Sequence, residues 1–313
     1  MKINFRFNLV IAIILLCILG SCNGNPKQKS DVSQETIEIA HKLGTSKVVR
    51  NPSRIVVLDI GALETLHELG IKPIAVPKTY MPEYLSDIRN DRGIGDVGSV
   101  IEPNFEAINA LGPDLILMST RQERFYDELS QIAPTIFIGT DNKDYLNSFI
   151  ENTKLLGKIV GKEALADEKL KALNIKIEQA QEKFKEDTNK ALFLIYNNGR
   201  FSAFGKSSRF GFIHDVLLLK PALEGVEESV HGQRLSNELI AELNPDYIFM
   251  VDRNAAVVGQ NANKQEVENK LIQQTNAYKK GAIFYLDPNV WFISGGGLTS
   301  VNLMVDDITT LLK

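Results

Sequence analysis

Two segments of this chain, 132 positions apart, carry the same helix–turn–strand pattern. Residues 103–121 read PNFEAINALGPDLILMSTR, and residues 235–253 read LSNELIAELNPDYIFMVDR. Each copy has helical spacing, then a Pro-Asp turn, then an apolar run that ends at an arginine. Eight of the 19 aligned positions are identical without a gap: Glu106/Glu238, Ile108/Ile240, Leu111/Leu243, Pro113/Pro245, Asp114/Asp246, Ile116/Ile248, Met118/Met250 and Arg121/Arg253. This repetition predicts two lobes of similar construction.

The rest of the chain alternates strand-like and helix-like stretches. Short apolar runs that are typical of strands occupy 54–58, 74–76, 135–138, 191–196 and 282–286, and helical patterns include 61–70 and 214–219. Strands separated by helical lengths form mostly parallel sheets with right-handed crossovers. The predicted fold class is therefore α/β, with two Rossmann-like lobes that contain mainly parallel sheets. The predicted lobes span 47–150 and 189–313.

A charged helical segment separates the two predicted lobes. Its apolar residues recur at helical spacing: Leu165, Leu170, Leu173, Ile177 and Phe184. We expect one long backbone helix over 151–188 that joins the lobes as a stiff connection. The alternative is that this helix belongs wholly to one lobe.

The N-terminus has the features of an export signal. Lys2 and Arg6 precede an 11-residue apolar run, 9–19, which is shorter than the roughly 20 residues that a membrane-spanning helix needs. The next residues, Leu19-Gly20-Ser21-Cys22, resemble a bacterial lipobox. We expect 1–21 to be a lipoprotein signal peptide, Cys22 to carry the lipid, and 22–46 to form a flexible tether. The expected location is extracytoplasmic, on a bacterial membrane; the alternative is a plain signal peptide with a chance cysteine.

Charge and composition exclude several other classes. Lysine and arginine total 35 against 39 acidic residues, a net charge of -4, so a general nucleic-acid binder is disfavoured. The two cysteines, Cys17 and Cys22, both lie in the N-terminal region, so no disulfide framework is expected. The histidines lack metal-site spacing, and no nucleophile motif is present, so we do not expect an enzyme.

Four further motifs carry a family resemblance. They are GDVGSVIEPNFEAINALGPDLIL at 95–117, SRFGFIHDVL at 208–217, Asp252-Arg253, and VWFISGGGLTS at 290–300. Together they resemble substrate-binding proteins of bacterial ABC importers, in the subclass for siderophores, haem and cobalamin. The branch most similar to this chain binds ferric catecholate siderophores of the petrobactin and enterobactin type. The resemblance implies a monomer that holds a ferric siderophore between its lobes and delivers it to a permease dimer with its ATPase. Iron is then cargo, and no intrinsic cofactor is expected.

The resemblance also implies that Arg121, Arg209 and Arg253 converge on the catecholate oxygens. The chemistry is reasonable, because a guanidinium is permanently charged and presents several donors in one plane. Desolvation in a cleft strengthens its attraction for an anionic ferric complex. Arg121 and Arg253 end the two repeated segments, and ligands of parallel α/β sheets bind at those strand ends.

Three more residues are candidates for ligand contact. Some members of this branch complete iron coordination with a histidine and a tyrosine when the ligand leaves sites open, and the matching positions here are His231 and Phe292. Phenylalanine cannot coordinate a metal, so direct bonding between protein and iron is not expected, and His231 remains the one candidate ligand. Otherwise His231 is a loop residue or a hydrogen-bond donor to the ligand. Trp291 and Phe292 are expected either to pack against catechol rings or to form a buried pair on a strand.

The repeated glutamates are candidates for contact with the permease. The importer resemblance implies that Glu106 and Glu238 each dock onto arginines of one permease subunit, and their equivalent positions suit a two-subunit partner. Each also follows a capping residue at the start of a predicted helix, where an acidic side chain favours the helix dipole. The two roles are compatible.

Two alternatives to the catecholate reading stay open. Within the same class the ligand could be haem, cobalamin or a hydroxamate siderophore. In a different class, the chain could be an extracytoplasmic enzyme that acts on an iron chelate. Recovery of the ligand chemically unchanged would count against the enzyme.

Overall fold

The computed structural model describes residues 35–226, 231–259 and 262–313. The expected signal peptide 1–21, Cys22 and the tether up to residue 34 lie outside these ranges. Within them, no helix combines the length and the apolar character needed to cross a lipid bilayer.

The first lobe is built around a parallel sheet. Its elements in chain order are β1 (Thr36–His41), β2 (Gly44–Val49), β3 (Ile55–Val57), α1 (Ile60–Glu68), β4 (Ala75–Val76), a 3-10 turn (Glu83–Leu85), α2 (Ser86–Asn90), β5 (Gly95–Asp96), α3 (Phe105–Leu111), β6 (Leu115–Met118), a 3-10 helix (Thr120–Phe125), α4 (Tyr126–Ile132) and β7 (Thr135–Phe137). The strand order is β5-β4-β3-β6-β7, and every pairing is parallel. Helices cover both faces, so β3, β4, β6 and β7 are buried throughout, whereas the edge strand β5 is partly exposed.

Strands β1 and β2 form an antiparallel hairpin. The sequence predicts a tether over 22–46, but residues 36–46 belong to this hairpin, so that boundary is wrong. Apolar side chains alternate along β1, and Ile39 packs into the core of the first lobe together with Val48 of β2. The alternation of Ile37 and Ile39 was the sequence signal for a strand.

Two consecutive helices connect the lobes. They are α5 (Tyr145–Ile159) and α6 (Glu163–Phe184), and the chain turns between them at Gly161, whose φ is 64°. The single helix predicted over 151–188 is therefore interrupted, since a left-handed residue ends a helix. The 22 residues of α6 span about 33 Å. Ala166 of α6 packs in the first core, and Leu170 to Phe184 line the second, so α6 belongs to both lobes.

The second lobe has a mixed sheet. Its elements are β8 (Lys190–Asn197), β9 (Arg200–Phe204), α7 (Phe212–Asp215), β10 (Lys220–Pro221), β11 (Gln233–Leu235), α8 (Asn237–Leu243), β12 (Tyr247–Asp252), α9 (Arg253–Val258), α10 (Lys264–Val267), a 3-10 turn (Ile272–Gln274), α11 (Asn276–Lys279), β13 (Ile283–Tyr285), a π-helix (Asn289–Ser294) and α12 (Leu298–Leu311). Strands β10, β8, β12 and β13 pair in parallel, whereas β9 is antiparallel to both β8 and β11. The helix expected over 214–219 ends at Asp215.

The internal repeat is confirmed as a structural repeat. Helices α3 and α8 are each capped at the N-terminus by a side chain, from Asn104 and Ser236 respectively, and end at a left-handed residue, Gly112 or Asn244. Each leads into a buried parallel strand, β6 or β12, in the interior of its sheet. The same local chemistry, in the same order, thus produces the same supersecondary unit in both lobes.

The lobes also touch directly, where the glycine run 295–297 meets α1. A β-carbon placed on Gly61 would lie only 2.7 Å from the carbonyl carbon of Gly296. Beside this contact, Glu64 of α1 is fully buried and accepts hydrogen bonds from the Tyr84 hydroxyl and, at 2.8 Å, from the backbone N–H of Ser300. Burial raises the pKa of Glu64 to about 7. The second junction between the lobes is therefore close-packed and carries a titratable group.

Candidate functional site

A cavity of about 1070 Å³ lies between the two lobes. The first lobe lines it with residues that follow β3, β6 and β7, including Asp59, Arg121 and Thr140. The second lobe contributes Arg209 and the backbone of Gly295, among others. The carboxyl ends of the parallel strands of the first sheet thus open onto the cavity, as expected for a binding site of this architecture.

Arg121 projects from the first lobe toward the second. It follows β6 on the 3-10 helix 120–125, and its guanidinium donates to the backbone carbonyls of Ile293, at 2.8 Å, and Phe292, at 2.6 Å. Burial lowers the pKa of Arg121, and the negative charge of Asp59 opposes this shift. A guanidinium nevertheless stays protonated near neutral pH, because its intrinsic pKa exceeds 12.

Arg209 approaches the same point from the second lobe. Its guanidinium donates to the Phe292 carbonyl at 2.8 Å. Its central carbon lies 4.8 Å from the ring centroid of Phe210 and 4.9 Å from that of Phe292, so both rings hold the cation. Burial first, and the charge of Arg121 second, lower the pKa of Arg209.

Neither arginine has a carboxylate partner within the described ranges. Arg121 and Arg209 form no ion pair there, and their hydrogen bonds all go to neutral carbonyls. Two desolvated like charges beside one cavity are unfavourable without a counter-ion. Their remaining N–H donors are available to an anion in the cavity. The arrangement is thus an electrostatic site for a negatively charged ligand.

Phe292 holds the two arginines in place. It lies on the π-helix 289–294, so the strand expected for Trp291 and Phe292 is wrong. A π-turn departs from the regular α-helical bonding pattern, and such turns are frequent at functional sites. Here the carbonyls of Phe292 and Ile293 accept from the arginines, and the Phe292 ring packs on Arg209.

Trp291 points the other way, into the core of the second lobe. It is 2% exposed, and its indole N–H donates to Asp307 at 2.8 Å. Such burial leaves no ring face for a ligand, so the stacking expected for Trp291 does not fit this conformation.

Arg253 and His231 lie outside the lining of this cavity. Arg253 begins α9 directly after β12, the position equivalent to Arg121 in the repeat, and makes no ion pair with any described residue. His231 is exposed on the surface. The structure therefore brings Arg121 and Arg209 together at the cavity. The ligand contacts expected for Arg253 and His231 stay predictions.

The cavity also has acidic and basic residues that the sequence did not single out. Asp141, Asp144 and Glu151 stand at its exposed rim, where water and salt screen them. Ala40, His41 and Lys42, at the end of β1 and in the hairpin turn, form another part of the wall. These three residues lie in the segment 22–46 that the sequence predicts to be a tether, so no sequence pattern pointed to them as site residues.

Glu106 and Glu238 occupy equivalent exposed positions in the first turns of α3 and α8. Both are available to a partner protein. The hydrogen bonds of the Glu238 carboxylate with its own backbone N–H and with Ser236 lower its pKa. Their role in docking stays a prediction.

No protein-built metal centre is present in the part of the chain that the structure describes. No group of three or more histidine, cysteine, aspartate or glutamate side chains there is placed to hold a metal ion. The cavity offers guanidinium donors instead, which suit the anionic shell of a chelate rather than a bare ion.

With this geometry established, comparison with known proteins identifies the family. The family model described as periplasmic binding protein matches residues 55–290. This chain belongs to that family. The match covers most of both lobes and the helices that connect them, and it leaves out the β1–β2 hairpin and α12.

Individual relatives are similar over nearly the whole chain. The petrobactin-binding protein YclQ of Bacillus subtilis is 39% identical over 306 residues, 96% of each chain. The ferric-anguibactin-binding protein FatB of Vibrio anguillarum is 33% identical and covers 97% of this chain and 98% of its own. Both are named as binding proteins.

Solved structures confirm the two-lobed α/β fold. The crystal structure of YclQ from Bacillus subtilis superposes with a TM-score of 0.87 over 89% of this chain and 99% of that one. The periplasmic catecholate-siderophore binding protein VctP of Vibrio cholerae, 33% identical, superposes with a TM-score of 0.83 over 88% of this chain and 100% of that one.

Proposed function

We propose that this protein is a lipid-anchored binding protein that captures a ferric catecholate siderophore between its lobes and delivers it to an ABC importer. It acts by binding and not by catalysis. The observation that carries the proposal is the pair of buried arginines, Arg121 and Arg209, that face one cavity without a carboxylate partner in the described ranges. The relatives named for petrobactin and for catecholate siderophores support the same ligand class.

The charge of the ligand follows from the charge of the site. A ferric bis- or tris-catecholate complex is anionic, because each catecholate carries two negative charges and together they exceed the three positive charges of the iron. Its peripheral oxygens accept hydrogen bonds, and guanidinium donors in a water-poor cavity bind such oxygens strongly. A neutral ferric trihydroxamate gains much less from two cations. The site therefore favours the catecholate over the hydroxamate alternative.

Phe292 supports a fully chelated ligand. Its ring packs on Arg209 and has no donor atom for iron, which favours a siderophore that supplies the iron ligands itself. Arg253 stands at the matching strand end of the second lobe and is proposed as a secondary contact for a ligand that reaches it. The exposed Glu106 and Glu238 are proposed as the two contacts with the permease, and Cys22 as the lipidated residue.

The test is equilibrium binding by the purified full-length protein. Three probes are compared: a ferric tris-catecholate, a neutral ferric trihydroxamate and haem. We expect tight, saturable binding of the tris-catecholate, and its recovery unchanged. Binding of the trihydroxamate or haem alone would overturn the proposed ligand class, and a chemically altered chelate would point to an enzyme.

A variant pair tests the site itself. Arg121→Gln removes one of the two buried charges, and we expect the affinity for the tris-catecholate to fall by about ten-fold to a hundred-fold. Arg92→Gln is the matched control, because Arg92 is an exposed arginine of the same lobe that lies outside the cavity lining. Equal losses for the two variants would show that only net charge matters.

A further inference from the structure

The lining of the cavity includes the end of β1 and the turn of the β1–β2 hairpin. Ala40, His41 and Lys42 all line the cavity. The hairpin is fixed to the first lobe, since Ile39 and Val48 are buried in its core and the Ser46 hydroxyl donates to the Thr135 carbonyl at 2.6 Å. The hairpin is therefore a fixed part of the cavity wall.

Lys42 places a cation on the hairpin side of this cavity. Its ammonium nitrogen lies 2.9 Å from both carboxylate oxygens of Glu123. Glu123 sits on the same 3-10 helix as Arg121, two residues further along the chain. The ammonium nitrogen also lies 5.2 Å from the ring centroid of Phe137, which itself lines the cavity. Lys42 is therefore held next to the helix that carries a ligand-binding arginine.

The ion pair between Lys42 and Glu123 is weak enough for a ligand to replace Glu123 as the partner of the lysine. The two side chains are 55% and 34% exposed, and an ion pair in that setting contributes at most about 1 kcal/mol. The lysine stem is long and flexible, so the ammonium can turn from Glu123 to a group in the cavity at little cost. A ligand with several negative charges offers a stronger partner than one screened carboxylate.

We propose that Lys42 is a specificity-determining residue, which leaves Glu123 and binds an anionic group of the ligand on the hairpin side of the cavity. This inference rests on the proposed function, because it takes the ligand to be an anionic chelate. Arg121 and Arg209 hold the deep side of the ligand from both lobes, and Lys42 holds the outer side. Glu123 is the resting partner that keeps the ammonium near the cavity when no ligand is bound.

Three single variants of the full-length protein test this role with the trianionic ferric tris-catecholate. Lys42→Gln removes the proposed contact, and we expect about three-fold to ten-fold weaker binding. Glu123→Gln removes the competing carboxylate, and we expect about two-fold to five-fold tighter binding. Lys47→Gln is the matched control: Lys47 lies on the same hairpin, is exposed, and is absent from the cavity lining. Its affinity should stay within about two-fold of that of the unmodified protein.

The outcomes separate this inference from the proposed function. If the unmodified protein does not bind the tris-catecholate, the proposed function fails. If it binds, and Lys42→Gln binds equally well or no worse than Lys47→Gln, the role of Lys42 is overturned. Weaker binding by Glu123→Gln would also overturn it, since Glu123 would then support the ligand. Because Lys42 is exposed and Glu123 is only partly buried, unchanged melting temperatures are expected for both variants and serve as the folding control.

Discussion

Arg121 and Arg209 donate hydrogen bonds to the same backbone carbonyl oxygen, that of Phe292, from opposite lobes. One neutral acceptor thus holds two cations that still repel each other. The carbonyl fixes their positions without cancelling their charge, as a carboxylate would. Both guanidinium groups can therefore bind an anion. Until they do, the repulsion between them destabilises the ligand-free protein.

This relationship predicts opposite effects of Arg209→Gln on stability and on binding. Removal of one of two desolvated like charges relieves repulsion, so the melting temperature of the ligand-free protein should stay the same or rise. Affinity for the ferric tris-catecholate should fall by about ten-fold to a hundred-fold. Calorimetry and equilibrium binding measure the two effects, and Lys206→Gln, an exposed cation on the same segment, is the control. A lower melting temperature for Arg209→Gln would mean that the arginine is mainly structural.

Phe292→Leu tests the ring that packs on Arg209. The backbone carbonyl remains, but the contact between guanidinium and ring is lost, so Arg209 is less constrained. We expect about three-fold to ten-fold weaker binding of the tris-catecholate, corresponding to a cation–π contribution of about 1 kcal/mol. The effect should be much smaller in an Arg209→Gln background, which a double-mutant cycle measures. Equal losses in both backgrounds would contradict a role through Arg209.

Gly61→Ala tests the close junction between the lobes. The added methyl group would lie 2.7 Å from the carbonyl carbon of Gly296, which is backbone and cannot rotate away. We expect a loss of about 1–3 kcal/mol in the free energy of unfolding, measured by denaturant titration. The control is Gly296→Ala in the same contact region, since its β-carbon would meet only the Thr140 methyl group at 3.6 Å. Similar losses for both variants would show that the Gly61 contact is not special.

Glu64 predicts a pH dependence of stability. Burial raises the pKa of its carboxyl from 4.5 to about 7 in the folded protein, so the folded state binds more protons than the unfolded state between these values. Protonated Glu64 therefore contributes to the free energy of unfolding. This contribution is complete below pH 4.5 and is lost as the pH rises through 7, by up to about 3 kcal/mol. Glu64→Gln should remove this slope from a series of unfolding measurements between pH 4.5 and 7.5.

A second glutamate on the same helix provides the control for that slope. Hydrogen bonding with Lys169 lowers the pKa of Glu68, so its contribution is lost as the pH falls and has the opposite sign. Glu68→Gln should therefore leave the Glu64 slope in place. Parallel curves for the unmodified protein and Glu64→Gln over this range would contradict the assigned pKa.

Local sequence patterns were sufficient to predict most of the fold. The repeat around Arg121 and Arg253 predicted two lobes, because capping residues, a left-handed turn and an apolar run each act over a few residues. Short-range patterns did not predict the break at Gly161 or the π-helix at Phe292. Both depend on how neighbouring elements pack, and a glycine or an apolar run fits several local structures equally well.

The sequence by itself determined the α/β class and the two lobes, and it pointed to two arginines that line the cavity, since periodicity and a family resemblance are properties of the chain order. Only the tertiary structure decided which side chains meet. Arg121 and Arg209 are far apart in sequence, and they share the Phe292 carbonyl only because the fold brings the two lobes together. In the same way, burial directs Trp291 into the core, and packing of Ile39 brings Lys42 to the cavity. Distance and desolvation set the electrostatics of this site, and both arise only in the folded chain.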